Sequence, residues 1–438
     1  MSATALRGAS VRGTAALVTW GRTSLLVLTL SLAAYAALAL GYAIRTPVWQ
    51  NPDEPAHYNY VGYVAETATL PELKPGDWDL PLLERLKNGR LEPGDSIEAI
   101  RYEGWQPPVY YLLAAPIYRL APPGADARVL TLRLFGAVLG GATLVVAYRA
   151  ALCVLPARLA LAVPTTLVGI PMFTAVSASV SADPLANLVA ASLTLLLLRV
   201  RLGATLPTPR TSASLGALLA LGVLTKLALA IFVPLGVYVL VSRRPTVRVL
   251  AIMLAVSGLV MLPWLLHQVT TYGLTDPFAT ARHAAVVVDQ ERFTGISPEY
   301  ARQFLTVTFH SFWAQFGWMA IVAPDRLYWL WGLSSVAAVL GLLRHVRQLV
   351  TPGWRLVLAI ALLSLVAYVG YNLAFKQFQG RYLFTALAPL AMLLVAGWSR
   401  LVPLRAGPLL AMSFSALLVA ANAYALVRVL VPGFAPSS

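Results

Sequence analysis

Apolar runs of about 20 residues, most of them bounded by arginine, recur along this chain and restrict it to very few folds. A transmembrane helix needs about 20 predominantly apolar residues. Runs of that kind lie at 24–44, 129–154, 159–176, 249–267, 327–343, 356–375, 383–398 and 409–430, and another ends at Arg199 and Arg201. Of the 438 residues 58% are hydrophobic and 12% charged, against about a quarter charged in a soluble domain. No soluble core buries so many apolar runs. The expectation is an all-α, polytopic integral membrane protein forming one domain over residues 1–438.

The net charge of +15 does not point to nucleic acid. Lysine and arginine sit in short clusters between the runs, the pattern of cytoplasmic loops under the positive-inside rule. Arg7, Arg12 and Arg22 precede the run 24–44, which is too long for a signal peptide and is followed by many more. It reads as a retained helix with a cytoplasmic N-terminus. Residues 45–128 then hold 12 of the 18 acidic residues, Glu92 and Asp95 among them, and are expected outside. Within them, 107–120 (PPVYYLLAAPIYRL) is too short to span. It reads as an interfacial helix with Tyr110, Tyr111 and Tyr118 at headgroup depth.

Residues 214–241 form an overlong run with arginine on both flanks. Two short helices joined outside near Lys226 satisfy the charge rule; one tilted helix does not. A second large outer loop is expected over 268–321. Its aromatic end, 304–321, reads as an interfacial or re-entrant helix, since a crossing there would turn Arg344 and Arg347 outward. The sum is about 11 spans with the C-terminus outside. No inverted repeat of the transporter kind is visible. Cys153 is the only cysteine, which excludes an intrachain disulfide and any cysteine-pair metal site; it reads as a small buried hydrophobe.

Two constellations carry possible chemistry. In 51–58 (NPDEPAHY), Asp53 and Glu54 are bracketed by Pro52 and Pro55, which stiffen the backbone that bears them. His57 and Tyr58 follow within a turn if Pro55 opens a helix. A carboxylate on a rigid turn above the bilayer suits a general base; a plain helix start with acids facing the dipole fits equally well. The second constellation is cationic: Lys226 in LTK and Arg381 in QGRY, both at the outer face. There they suit a lipid phosphate, or else headgroups, or an acid such as Asp183. Lys376 reads as an ordinary flanking charge. Gln106 and Tyr110 suit a polar cavity wall, and Asp183 in SADP suits a helix start. His267, His283 and His310 are too scattered for metal spacing, and no nucleotide or hydrolase motif is present.

In their order along the chain, PDEPAH, PPVYY, SADPLAN, LTK and QGRYLF resemble the GT-C superfamily of membrane glycosyltransferases. The likeness runs from about residue 24 to residue 398 and is close to bacterial protein-mannosyltransferase-like and aminoarabinose-transferase-like (family 39-like) members, while a bacterial group sharing the PDEPAH and GRYL signatures looks closer still. It implies an inverting hexosyl- or pentosyltransferase of the bacterial plasma (inner) membrane, using a polyprenyl-phosphate sugar and an extracytoplasmic glycan, lipid or protein acceptor. It further implies Asp53 as catalytic base and Glu54 as its partner or an acceptor-binding group. His57, Tyr58, Gln106, Tyr110 and Asp183 fall in the substrate region, and Lys226 and Arg381 at the lipid phosphate. The resemblance leaves a divalent cation (Mg or Mn) open. Larger relatives carry a soluble C-terminal domain; here acceptor recognition is expected from the outer loops or a partner protein. A transporter or flippase for lipid-linked saccharides is the alternative, and would place charges near mid-bilayer. A non-catalytic scaffold is the third reading.

Overall fold

The computed structural model describes residues 22–88 and 96–435; Arg7, Arg12, the N-terminus, Glu92 and Asp95 lie outside them. Helix α1 (Arg22–Arg45) is followed by a cluster of shorter helices, α2 (Glu54–Thr67), α3 (Leu80–Lys87) and α4 (Val109–Leu120). Then come α5 (Ala125–Ala151), the short α6 (Ala157–Ala160), α7 (Ala162–Val168), α8 (Pro171–Ser177), α9 (Asp183–Arg201) and α10 (Pro209–Val223). Next are α11 (Phe232–Val241), α12 (Val247–Tyr272), α13 (Thr280–Val286) and α14 (Pro298–Trp313). A two-stranded hairpin, β1 (Gln315–Phe316) and β2 (Ile321–Val322), leads to α15 (Asp325–Arg344) and α16 (Val346–Leu349). The bundle closes with α17 (Pro352–Asn372), α18 (Leu387–Ser399) and α19 (Gly407–Ala425).

The architecture is all-α, as expected. Eight helices among the described residues are long and apolar enough to cross a membrane, or nine if the bent pair α6–α7 and α8 is one span. That is fewer than the 11 expected. The run 159–176 is present but bent by 68° between Val168 and Pro171, where proline removes a backbone donor and clashes with the preceding turn. The run 214–241 is two helices, α10 and a shorter segment Leu227–Val241, and Lys226 stands extended at the break (φ −157°, ψ 127°).

Two further expectations are corrected. Residues 304–321 are not one helix: α14 ends at Trp313 because Ala314 turns extended, and the tight hairpin follows. Tyr110, Tyr111 and Tyr118 do not face headgroups. All three are buried, Tyr111 and Tyr118 against α2 and Tyr110 against Phe135 of α5, and Tyr60 stacks on Tyr111 at 3.5 Å between ring centres. The exposed face of α4 is Leu112, Leu113 and Leu120 instead. Tyrosine suits either setting, and here neighbouring rings of α2 and α5 supply the packed one.

The chain alternates between two ends of the bundle, and α2, α3, α4, α13, α14 and the hairpin gather at one of them. Close backbone approach sets that end. Gly136 and Gly140 lie one turn apart on α5, and the segment 177–183 rests on them. A methyl group on Gly136 would stand 2.6 Å from the Ser177 carbonyl oxygen. Only glycine lets the start of α9 sit against α5. Gly136→Val is therefore predicted to cost about 1–3 kcal/mol through overpacking, whereas Gly370→Ala, which meets nothing within 4 Å, leaves the melting temperature of the purified protein unchanged or slightly raised.

Candidate active site

The turn before α2 is strained: Trp49 and Asp53 both adopt left-handed conformations, at φ 69° and φ 64°. Each such residue costs of order 1–3 kcal/mol unless its surroundings over-determine it. Glu54 supplies that support. It is completely buried, and its two carboxylate oxygens accept from Arg133 Nε at 2.8 Å and Nη2 at 2.6 Å. They also accept from the Trp49 and Val180 backbone N–H groups and the Asn51 side chain at 3.1–3.2 Å. Arg133, on α5, uses its three remaining N–H donors on the carbonyls of Ala43, Thr46 and Pro47. One ion pair thus ties the end of α1, the turn 46–54, α5 and the segment before α9 together.

Asp53 is left free to point elsewhere. It stands at the N-cap of α2 without capping it. Its Oδ1 accepts from the Tyr102 hydroxyl at 2.8 Å and its Oδ2 from Arg381 Nη2. Its side chain remains 23% exposed. Burial alone would push this carboxyl up, but Arg381, helped by His57 and Tyr102, holds it below the ordinary carboxylate range. Arg381 Nη1 also lies 3.7 Å from Asp183 Oδ2, and Lys226 Nζ bonds Asp183 Oδ1. Asp53, Arg381, Asp183 and Lys226 therefore form one alternating chain of charges.

Each cation is held by its own local structure. Arg381 opens the 3₁₀ turn Gly380–Ala386, where Ser311 of α14 accepts from Gly380 N at 2.7 Å and donates to the Phe378 carbonyl. A methyl on Gly380 would meet the Thr308 carbonyl at 2.3 Å, so this glycine brings the turn onto α14 and aims Arg381. Lys226 follows the end of α10, where the Leu224 carbonyl accepts from Val109 N at the start of α4. Its ammonium also lies 5.3 Å from the centre of the Tyr382 ring.

A cavity of about 220 Å³ adjoins this chain; Asp53, Tyr102, Glu103, Gln106, Gln379 and Tyr382 are among its walls. Burial first, and then the neighbouring Asp53 charge, raise the Glu103 carboxyl to about 8. Burial lowers His57 to about 4, so it is neutral at physiological pH; its Nδ1 shares a hydrogen bond with the Tyr111 hydroxyl at 2.8 Å. Of the residues singled out from sequence, the structure brings Asp53, Asp183, Lys226 and Arg381 into direct contact and places Gln106 in the cavity wall. Asp183, Lys226 and Arg381 lie beside it without lining it, and Glu54, His57, Tyr58 and Tyr110 do not line it either. Glu54 is locked on Arg133, Tyr58 packs between Trp49 and Tyr118, and Tyr110 packs on Tyr111 and Phe135.

Sequence reasoning missed Arg133, Tyr102 and Glu103. Arg133 was detectable in principle as a charge inside an apolar run. Among the described residues no three His, Cys, Asp or Glu side chains stand together as metal ligands. The carboxylates of Asp53 and Asp183 share the guanidinium of Arg381 instead. The residues present do not fit a Mg or Mn ion.

A family model described as "Predicted membrane protein (DUF2142)" matches residues 92–394. No curated protein matches the chain in sequence. Among solved structures, ArnT from Cupriavidus metallidurans bound to undecaprenyl phosphate superposes with a TM-score of 0.57 at 16% identity, over 94% of this chain and 74% of that one. The Archaeoglobus fulgidus oligosaccharyltransferase in complex with Zn and sulfate gives 0.54 at 13%, over 93% and 52%. AglB from the same organism, with an inhibitory peptide and a dolichol-phosphate, gives 0.53 at 15%, over 94% and 55%. This chain thus spans only about half the length of the archaeal proteins. The fold is the GT-C fold.

Removing one member of the buried pair strands the other. Arg133→Met is predicted to cost about 3–5 kcal/mol and to broaden or abolish the monodisperse gel-filtration peak. Pairing it with Glu54→Gln should recover a substantial part of that loss.

Proposed function

The chain belongs to the DUF2142 family, and we propose that it is a membrane glycosyltransferase moving a sugar from a polyprenyl-phosphate donor to an extracytoplasmic acceptor. The observation that carries this reading is a partly exposed carboxylate in the wall of a polar cavity, Asp53, paired with Arg381, whose guanidinium is linked through Asp183 to Lys226. Two of the solved structures with this fold are described with polyprenyl-type phosphates bound, which supports a lipid-linked donor.

Asp53 is the base. An acceptor hydroxyl or amine attacks the anomeric carbon, the carbon–oxygen bond to phosphate breaks with its electron pair on phosphate, and the acceptor proton passes to Asp53. Inversion needs only this one base, since a cation compensates the phosphate as it leaves. Lys226, the more exposed of the two cations, takes the phosphate first. A phosphate oxygen that also draws on Arg381 withdraws positive charge from Asp53. Its proton affinity then rises when the donor is in place. Glu54 serves as a positioning residue, holding the turn.

The arginine-rich end of the bundle, with Arg149, Arg199 and Arg210, lies opposite the site, which supports a cytoplasmic N-terminus and an extracytoplasmic active site in a bacterial plasma membrane. Residues 45–128 and 268–321 are then the outer loops. A flippase would be expected to carry charges near mid-span; here the ion pairs gather at one end.

The test uses purified protein in lipid nanodiscs with radiolabelled polyprenyl-phosphate hexoses and pentoses and an envelope extract as acceptor. Loss of label from the lipid should fall about 10²–10⁴-fold in Asp53→Asn. Equal turnover in wild type and mutant, or none from any donor, contradicts the reading. With Asp53 ionised and His57 neutral, kcat/KM should stay level between about pH 5.5 and pH 7.5, without the break near 6.5 of an ordinary histidine. A rise through that region would assign the base to a histidine.

A further inference from the structure

Four residues in the cavity wall carry buried polar atoms with no hydrogen-bond partner among the described residues: Trp78 Nε1, Trp105 Nε1, Glu103 Oε2 and Gln290 Oε1. An unpaired buried polar atom costs about 1–3 kcal/mol, and four on side chains that line one cavity of about 220 Å³ point to a ligand that completes them once those side chains turn toward it. Two are obligate donors, one is an amide oxygen, and one belongs to a carboxyl. The indole rings add apolar surface. A hydroxyl both donates and accepts, so a polyol satisfies such a mixed set; an ammonium satisfies only the acceptors and a carboxylate only the donors.

The charges in the wall are already matched. Asp53 pairs with Arg381, and Lys87 with Glu84. Burial, with Arg292 adding to it, lowers His283 to about 4.

We propose that this cavity seats an uncharged sugar ring and that Glu103 selects it by hydrogen-bonding a ring hydroxyl, with the Trp78 and Trp105 N–H groups bonding others. The proposal deepens the glycosyltransferase reading and rests on it for the choice of a sugar as ligand. With its carboxyl raised to about 8, Glu103 is protonated at neutral pH and donates. Above that pH it becomes a carboxylate beside Asp53, and the ring loses its donor.

The full-length protein in nanodiscs is titrated with methyl glucoside, methyl xyloside, methyl glucuronide and methyl glucosaminide, with intrinsic tryptophan fluorescence as readout. The neutral glycosides are expected to bind about tenfold or more tighter than either charged one. Glu103→Ala weakens them about tenfold, while Glu103→Gln, which keeps a neutral donor, stays within about threefold of wild type. Raising the pH from about 7 to about 9.5 weakens binding in wild type and not in Glu103→Gln. Equal or tighter binding of the glucuronide or the glucosaminide, a silent Glu103→Ala, or no saturable binding overturns the proposal. Competition of the glycosides against the lipid donor assigns the ring to the donor, and competition against the acceptor extract assigns it to the acceptor. If the neutral pattern holds while no polyprenyl-phosphate sugar turns over, the transferase reading fails and the sugar site stands.

Discussion

The site depends on one buried ion pair. Glu54 and Arg133 are both almost fully withdrawn from solvent, and every N–H of the guanidinium has an acceptor. Such a pair is weak evidence for stability, since desolvation offsets much of its attraction. Its consequence here is geometric. Three backbone carbonyls and two backbone N–H groups converge on it, and they hold Trp49 and Asp53 in conformations that neither would adopt alone. Adjacent acids in one short motif therefore do opposite work: Glu54 is spent on structure, which leaves Asp53 turned outward toward the cavity.

Around Asp53 the charges alternate rather than accumulate. Arg381 lies between Asp53 and Asp183, and Asp183 holds Lys226. A bare pair of cations facing an apolar bundle would be costly; Asp183 keeps them in place and nearly neutralised. The arrangement is poised for an anion. On the proposed reading, a phosphate entering beside Lys226 would compete with the two aspartates for the same cations, so that binding a donor would also raise the basicity of Asp53.

Much of this was legible in the sequence because it follows from periodicity and charge. Apolar runs and arginine clusters disclosed the all-α membrane fold and the break at Lys226, and the sequence singled out Asp53, Lys226 and Arg381, which the structure links through Asp183. Arg381 and Asp53 lie 328 positions apart; the family resemblance gave each a role, but their contact was not legible. Other features were not legible. Arg133 sits inside a run whose hydropathy masks it, and nothing in its neighbourhood names Glu54 as partner. The bend at 169–170 and the end of α14 depend on packing against other helices, which a run of apolar residues does not encode. Tyr110 and Tyr111 look like an interfacial belt because tyrosine suits both an interface and a packed interior. The unpaired atoms of Trp78, Trp105 and Glu103 become visible only once distant segments enclose one cavity.

A cryo-EM structure of the protein in nanodiscs containing undecaprenyl phosphate tests the central claim most directly. The account predicts phosphate density in hydrogen-bond reach of Lys226, with the Arg381 guanidinium drawn away from Asp53 toward it. Phosphate density at the opposite, arginine-rich end of the bundle, with the Asp53–Arg381 contact unchanged, would contradict it.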